Sequence, residues 1–494
     1  MSVTEAQQPN DGEEIEEFKG RATSGAAWVG LGHGTQQGLR LLSNLILTRL
    51  LFEEHFGLMA LVSVIIMGIH LFSDIGIGAA LIQNEREDPG FVDTMWTMDV
   101  IRGFVLWLVA FAVAGPAGAF YGEPILVDLI RVSALNAIVE GFRSTNFRIA
   151  NRNLHMRAVV LLEVGSQIAG IVVMVTWASL VPTVWALVGG GLTTAVVSTI
   201  WTWALPGRRN RFHFERRAAR TLYHFGRWIL LSTLLHFLAS NLDRIVFGRL
   251  VTMAVLGVYN IALNLAVVPS IMISHLSFAV MFPVYSRFYQ KGSPMLPIYR
   301  NARLPLMVIG GWATAGVVAG GPTIMELLYD PRYSEGGWML QILTAGLWFG
   351  VGLESSNKVA LIALGQTRWT AISGASKVVG MAALLPLGWH FGGFPGAMLG
   401  LAVSDVVRYL VSTVGVLRFG LDGRVQDLKV TLLVAASAFA AWLTVQLLIQ
   451  AGWTNVVFHA FVIAVIVTAI WAPQHLQLWR RYRDTGHLFF DEPG

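Results

Sequence analysis

From about residue 24 to about residue 472, apolar residues recur in runs of helical length, separated by short polar or glycine-containing breaks. About 20 such residues in helical form cross the hydrocarbon core of a bilayer. The pattern predicts fourteen spans: 24–48, 56–82, 91–115, 124–147, 157–179, 182–205, 224–247, 253–281, 303–325, 338–364, 368–389, 394–418, 428–449 and 454–472. The short alternating segments of a membrane β-barrel are missing from the sequence. The predicted fold class is therefore an all-α polytopic membrane protein.

Composition agrees. Hydrophobic residues make up 54% of the 494 and charged residues 13%. A soluble protein carries about 25% charged residues to meet water. A soluble enzyme, a nucleic-acid-binding module and a disulfide scaffold are all excluded by this balance. With no cysteine in the chain, no thiolate metal site or disulfide can form. The basic pI near 9.5 has a membrane explanation, because arginine and lysine gather in cytoplasmic loops. With the N-terminus inside, the predicted outer segments hold only Arg49, Arg244, Arg249 and Arg332, and the remaining loop cations fall on the inner side. Missing one helix would scramble that bias, so it supports fourteen spans with both termini cytoplasmic. The arginine-rich stretch Arg208–Arg220, with Phe212, His213 and Phe214 interleaved, is read as lying against the anionic inner leaflet and not on nucleic acid.

Sliding the chain by 200 residues places Leu42, Arg49, Leu50 and Gly57 on Leu242, Arg249, Leu250 and Gly257. Both stretches join one long predicted helix to the next through a short connection. The expected architecture is two six-helix lobes related by a pseudo-two-fold axis, with two extra C-terminal helices, an arrangement found in transporters. The expected segments are a disordered acidic cytosolic tail (1–18), an N-lobe (19–205), a basic cytosolic linker (206–223), a C-lobe (224–419), a thirteenth and fourteenth span (420–472) and a cytosolic C-terminal tail (473–494). The longest predicted loops, near 206–223 and 282–302, are too short for a catalytic domain. No Walker-type phosphate loop occurs, and no His/Asp/Glu spacing suggests a metal site. Neither a cofactor nor a metal is expected.

Several motifs carry a family resemblance over roughly Phe18 to Trp471. They are Arg49-Leu50-Leu51, Phe56-Gly57-Leu58, the run from Asp74-Ile75-Gly76 to Ile82-Gln83, Asp243-Arg244-Ile245-Val246-Phe247-Gly248, Leu256-Gly257-Val258-Tyr259-Asn260 and Gly393-Phe394-Pro395-Gly396-Ala397. In these the chain resembles the polysaccharide-transporter, or oligosaccharide-flippase, branch of the multidrug/oligosaccharidyl-lipid/polysaccharide exporter superfamily. The resemblance implies a fourteen-helix, two-lobed protein of a bacterial inner membrane that is not an enzyme. Its cargo would be a polyprenyl-pyrophosphate-linked oligosaccharide for exopolysaccharide or O-antigen assembly. Membrane lipids, a polysaccharide polymerase and export machinery are the implied partners.

Charges within spans sharpen this expectation, because each costs at least ~2.5 kcal/mol at the bilayer centre. The predicted spans carry Arg40, Arg102, Arg131, Lys358, Lys377 and Arg408 against Asp74, Asp99, Asp128, Glu163, Glu354 and Asp405. Asp99/Arg102, Asp128/Arg131 and Asp405/Arg408 are spaced i, i+3, and Glu354/Lys358 is spaced i, i+4. Such partners can meet on one helix face, as intrahelical salt bridges or as pairs lining a watery cavity. Arg40 and Lys377 have no acid one turn away, so each faces water, an acid on another helix or an anionic ligand such as a pyrophosphate. The first helix is too polar for lipid: His33, Thr35, Gln36, Gln37 and Arg40 lie within two turns. The expected substrate-binding set is Arg40, Lys377, Gln36, Gln37, His33, Arg102, Arg131, Lys358 and Arg408. The expected ion-coupling set is Asp74, Asp99, Glu163, Glu354 and Asp405. The alternatives are a cation-coupled multidrug antiporter, disfavoured by the two extra spans and unpaired cations, and a membrane-embedded polymerase or ligase, disfavoured by the lack of a long outer loop.

Overall fold

The computed structural model describes residues 11–73, 89–153, 155–215 and 229–485. Among them there are helices and no strands. In chain order they are α1 (Asp11–Leu50), α2 (Glu53–Ser73), α3 (Pro89–Tyr121), α4 (Ile125–Ser133), α5 (Leu135–Gly141), α6 (Asn146–Arg152), α7 (Met156–Leu180), α8 (Trp185–Ala204), α9 (Ile229–Leu250), α10 (Met253–Leu276), α11 (Phe282–Gln290), α12 (Met295–Leu328), α13 (Gly336–Leu347), α14 (Glu354–Ala363), α15 (Thr367–Leu417), α16 (Arg424–Gln450) and α17 (Val456–Thr485). Among the described residues, ten helical stretches are long and apolar enough to cross a membrane. One of these, α15, carries two predicted spans. Three more predicted spans fall on helices outside that set: α1, α9 and the α4–α5 pair. This is a multi-pass membrane protein.

Two compact units emerge, Met1–Leu51 with Ile65–Leu231, and Phe52–Val64 with Ser232–Gly494. The first turns of α2 belong with the second unit, and so do the two C-terminal helices. Helix α1 begins at Asp11, inside the stretch expected to be a disordered tail.

In unit 1, α7 and α8 run antiparallel with backbones close together. Gly165 abuts Trp201, Gly170 abuts Thr194, Gly190 abuts Met174 and Gly189 abuts Trp177. Small residues at such crossings replace side-chain interdigitation, as is common where lipid removes the hydrophobic drive for association. The first half of the expected linker is no free tether. Asp93 on α3 accepts hydrogen bonds from the Arg208 side chain (3.1 Å) and the Arg211 N–H (3.1 Å). Thr97 and Thr94 hydroxyls accept from the His213 and Glu215 N–H groups, each at 3.0 Å. Residues 208–215 are thereby clipped to α3 on alternate backbone amides.

In unit 2, the start of α2 crosses the start of α10. A Cβ on Gly57 would overlap the Met253 carbonyl oxygen, and one on Gly257 would overlap the Glu53 carbonyl oxygen. The two contacts are related by the same 200-residue offset seen in the sequence, and the short breaks after Leu50 and Leu250 match likewise. Motifs distant in sequence also converge here. The rings of Phe247, Tyr259 and Phe394 pack edge to face, and the Tyr259 hydroxyl donates to Asp243. Helices α16 and α17 pack on α12, where Gly311 lies against Trp471, whose indole N–H donates to Ser437 (3.0 Å).

Helix α15 is a hairpin. Gly392 and Gly393 leave helical geometry, and Gly393 adopts φ 58°, which favours glycine. Gly388 and Gly396 then meet backbone to backbone, and Gly400 meets the Leu384 carbonyl. This glycine register sets everything deeper in the hairpin.

Candidate functional site

Continuing that register places Lys377 on one arm opposite Asp405 on the other, with Nζ 2.8 Å from Oδ1. The pair is close without hydrogen-bond alignment, and Asp405 Oδ1 has no hydrogen-bond donor. The carboxylate also touches Gly350, where any Cβ would collide with it. Gly350 sits in a π-helical turn, Trp348–Leu353, that separates α13 from α14. Such turns widen a helix locally and often mark functional sites.

One turn further, Arg408 Nη2 lies 3.3 Å from Glu354 Oε2, and the Ser373 hydroxyl donates to the other oxygen of Glu354 (3.3 Å). Lys358 leans over the Phe278 ring at 5.7 Å. Asp243 on α9 accepts from Tyr259 through one oxygen, while its other oxygen is buried without a donor. All of these groups except Tyr259, Phe278, Gly350 and Ser373 line one cavity of about 280 Å3 in unit 2. It gathers four cations (Arg244, Lys358, Lys377 and Arg408) and three carboxylates (Asp243, Glu354 and Asp405), a formal excess of one positive charge. Glu354, Asp405 and Asp243 are at most 4% exposed. Buried carboxylates persist as ions only when partnered; Asp405 and Glu354 have cation partners that line the same space, and Asp243 has the Tyr259 hydroxyl.

These pairings correct the intrahelical expectation. Asp405 meets Lys377 and not Arg408, Glu354 meets Arg408 and not Lys358, and Asp99 meets Arg148 (2.6 Å) and not Arg102. The Arg131 guanidinium stacks on Phe111 at 4.1 Å. Neighbouring helices offered better partners than the next turn did. Four expected residues thus share the unit 2 cavity as binding or coupling candidates: Lys377, Lys358, Arg408 and Glu354, with Asp405 as a fifth. The others lie in unit 1. Gln36 donates to Glu163 (3.0 Å), and Gln167 donates to the Gln36 carbonyl (3.1 Å), tying α1 to α7. Gln37 is half-buried, and His33 and Arg40 are exposed on α1. Arg40 has no ion-pair partner among the described residues. Asp74 lies outside the described residues. Asp243 and Arg244 were legible only as motif residues. Their sign was a charged pair inside an apolar run.

These features define a multi-pass helical membrane protein with a buried, charge-lined cavity. The chain belongs to the family of polysaccharide biosynthesis proteins, whose model matches residues 46–336. It is 23% identical to the lipopolysaccharide biosynthesis protein WzxC of Escherichia coli (strain K12), over 79% of this chain and 80% of the relative. It is 22% identical to the succinoglycan biosynthesis transport protein ExoT of Rhizobium meliloti (strain 1021), over 59% and 60%. Its fold is similar to that of the lipid II flippase MurJ in an inward closed conformation. That likeness has a TM-score of 0.70 and 11% identity, over 93% of this chain and 99% of the other. The protein is a transporter of polysaccharide biosynthesis and not an enzyme.

Proposed function

We propose that this protein moves a polyprenyl-pyrophosphate-linked oligosaccharide from the inner to the outer leaflet of a bacterial inner membrane, by alternating access, for exopolysaccharide or O-antigen assembly. The observation that carries this reading is the unit 2 cavity in a member of a polysaccharide biosynthesis family. Ligand pockets usually span ~300–1,000 Å3, so a space of about 280 Å3 suits a pyrophosphate better than a whole oligosaccharide. In this mechanism Lys377 and Arg408 exchange their carboxylate partners for the pyrophosphate, helped by Lys358 and Arg244. An arginine fork and lysine ammoniums both bind phosphate oxygens through charge-assisted hydrogen bonds. Arg40, His33 and Gln37 on α1 supply further polar contacts for the head group, and the polyprenyl chain stays in lipid. Asp405 and Glu354, released from their cations, are the acids assigned to ion exchange, with Asp99 and Glu163 as further coupling candidates. An inside-negative potential favours outward movement of an anionic head by ~2.3 kcal/mol per charge per 100 mV.

In the same reading 19–205 and 224–419 are the two lobes, 206–223 joins them, 420–472 supplies the last two spans, and both termini are cytoplasmic. A polysaccharide polymerase and export machinery receive the product. The test is reconstitution into proteoliposomes loaded with a fluorescent polyprenyl-pyrophosphate oligosaccharide. Wild-type protein should expose the label to an external quencher far faster than empty vesicles do. Equal rates, with drug–cation exchange in the same vesicles, would favour the antiporter.

A further inference from the structure

Unit 1 contains a second charged cavity, of which the transport reading draws only on Asp99. It has a volume of about 130 Å3 and is bounded by the end of α2, the first half of α3, α5 and the segment running into α6. Three arginines from three segments line it: Arg102, Arg143 and Arg148, together with Asp99, Glu140 and His70. Their sequence positions hide the cluster, because Arg143 and Arg148 read as ordinary loop cations.

The three guanidiniums differ in their partners. Arg148 is held by Asp99 at 2.6 Å. Arg102 Nη2 lies 3.5 Å from the His70 carbonyl oxygen. Arg143 stacks on Phe147 at 4.5 Å, and its buried Nε–H has no acceptor. A buried N–H of a cation without an acceptor is costly. With His70 neutral, three arginines against Asp99 and Glu140 leave one formal positive charge. The frame is stiff. A Cβ on Gly103 would overlap the Ala137 carbonyl oxygen, and one on Gly141 would lie 2.8 Å from that of Asp99. Helices α3 and α5 therefore touch backbone to backbone beside the cavity. A buried water needs only ~10–15 Å3 of such space, so the cavity holds several waters or one tetrahedral oxyanion.

We propose that this unit 1 cavity binds a phosphate group, held by Arg102 and Arg143 with Arg148 beside them, at a site separate from the unit 2 cavity. Planar guanidinium forks match phosphate oxygens in both charge and geometry. The group belongs either to the head of an anionic phospholipid or to a phosphate-bearing solute. Glu140 is the built-in competitor for Arg143. The site does not depend on what the protein transports.

The test is thermal unfolding of the purified full-length protein in neutral detergent, titrated with inorganic phosphate against chloride at matched ionic strength. It is repeated in nanodiscs of phosphatidylcholine with and without phosphatidylglycerol. The expected result is saturable stabilisation, with affinity lowered roughly tenfold or more by Arg143→Ala and raised by Glu140→Gln. Stabilisation by phosphate assigns a solute, and stabilisation confined to phosphatidylglycerol assigns a lipid head. A wild-type protein indifferent to both would overturn the proposal. So would equal affinities in wild type and Arg143→Ala. Should Arg143→Ala not fold, an unchanged affinity in Glu140→Gln overturns it alone.

Discussion

Arg303 is fully buried, and its removal is the most informative single perturbation of unit 2. Its Nη2 donates to Asp427 Oδ1 at 2.5 Å, and its Nη1 donates to the Tyr299 hydroxyl at 2.7 Å. The Tyr299 hydroxyl in turn donates to Asn357 Oδ1 (2.5 Å), and Tyr409 donates to the second oxygen of Asp427 (2.7 Å). One network thus ties α12 to α14, α15 and α16. The Asp427 residue is 4% exposed, so Arg303→Met strands its carboxylate with Tyr409 as the remaining donor. Breaking a buried ion pair from one side costs about 3–5 kcal/mol. At 1.4 kcal/mol per decade, that is roughly two to three and a half decades in the folded-to-unfolded ratio. The retained tyrosine puts Arg303→Met near the lower end. Asp427→Leu should fall near the upper end, because it leaves a guanidinium without its carboxylate. The double variant Arg303→Met/Asp427→Leu should cost less than either single change, since an apolar pair replaces two desolvated ions. Equilibrium unfolding in mixed micelles, followed by tryptophan fluorescence, measures all three. Single losses below about 1 kcal/mol, or losses that simply add, would refute the argument.

Three further predictions follow from packing and charge. Gly57→Ala and Gly257→Ala should each destabilise by about 1–3 kcal/mol, because the added methyl meets a backbone carbonyl that cannot rotate away. Gly34→Ala, with open space around it, should be neutral or stabilising in the same unfolding assay. Lys377→Ala should lose both stability and transport, whereas Lys377→Ala/Asp405→Ala should regain stability without regaining transport. A transport-competent double variant would remove Lys377 from the site. Arg40→Ala should leave the unfolding curve unchanged and slow transport roughly tenfold or more, since the side chain is exposed and supports no ion pair.

The helical architecture was legible because lipid imposes a simple pattern: every span must satisfy its backbone internally and show apolar side chains outward. The breaks after Leu50 and Leu250 and the glycine run at Gly392-Gly393 were also visible, as short interruptions in long apolar stretches. Partner choice was not. The i, i+3 rule sees one helix, while Asp405, Glu354 and Asp99 each found a cation on another segment. Arg303 counted as a loop cation on its position near a predicted span boundary, yet it is buried at the centre of a network. Asp427 drew no notice, because nothing local marks it as the partner of a residue 124 positions away. The clipping of residues 208–215 onto α3 was equally hidden, since backbone amides leave no signature in the sequence.

The central claim is the cargo. Depleting the protein in its host and analysing the lipid extract for polyprenyl-pyrophosphate oligosaccharides, alongside the surface polymer, tests it most directly. The account predicts that a complete lipid-linked repeat unit accumulates while the polymer disappears. Normal polymer with no accumulated intermediate would contradict it.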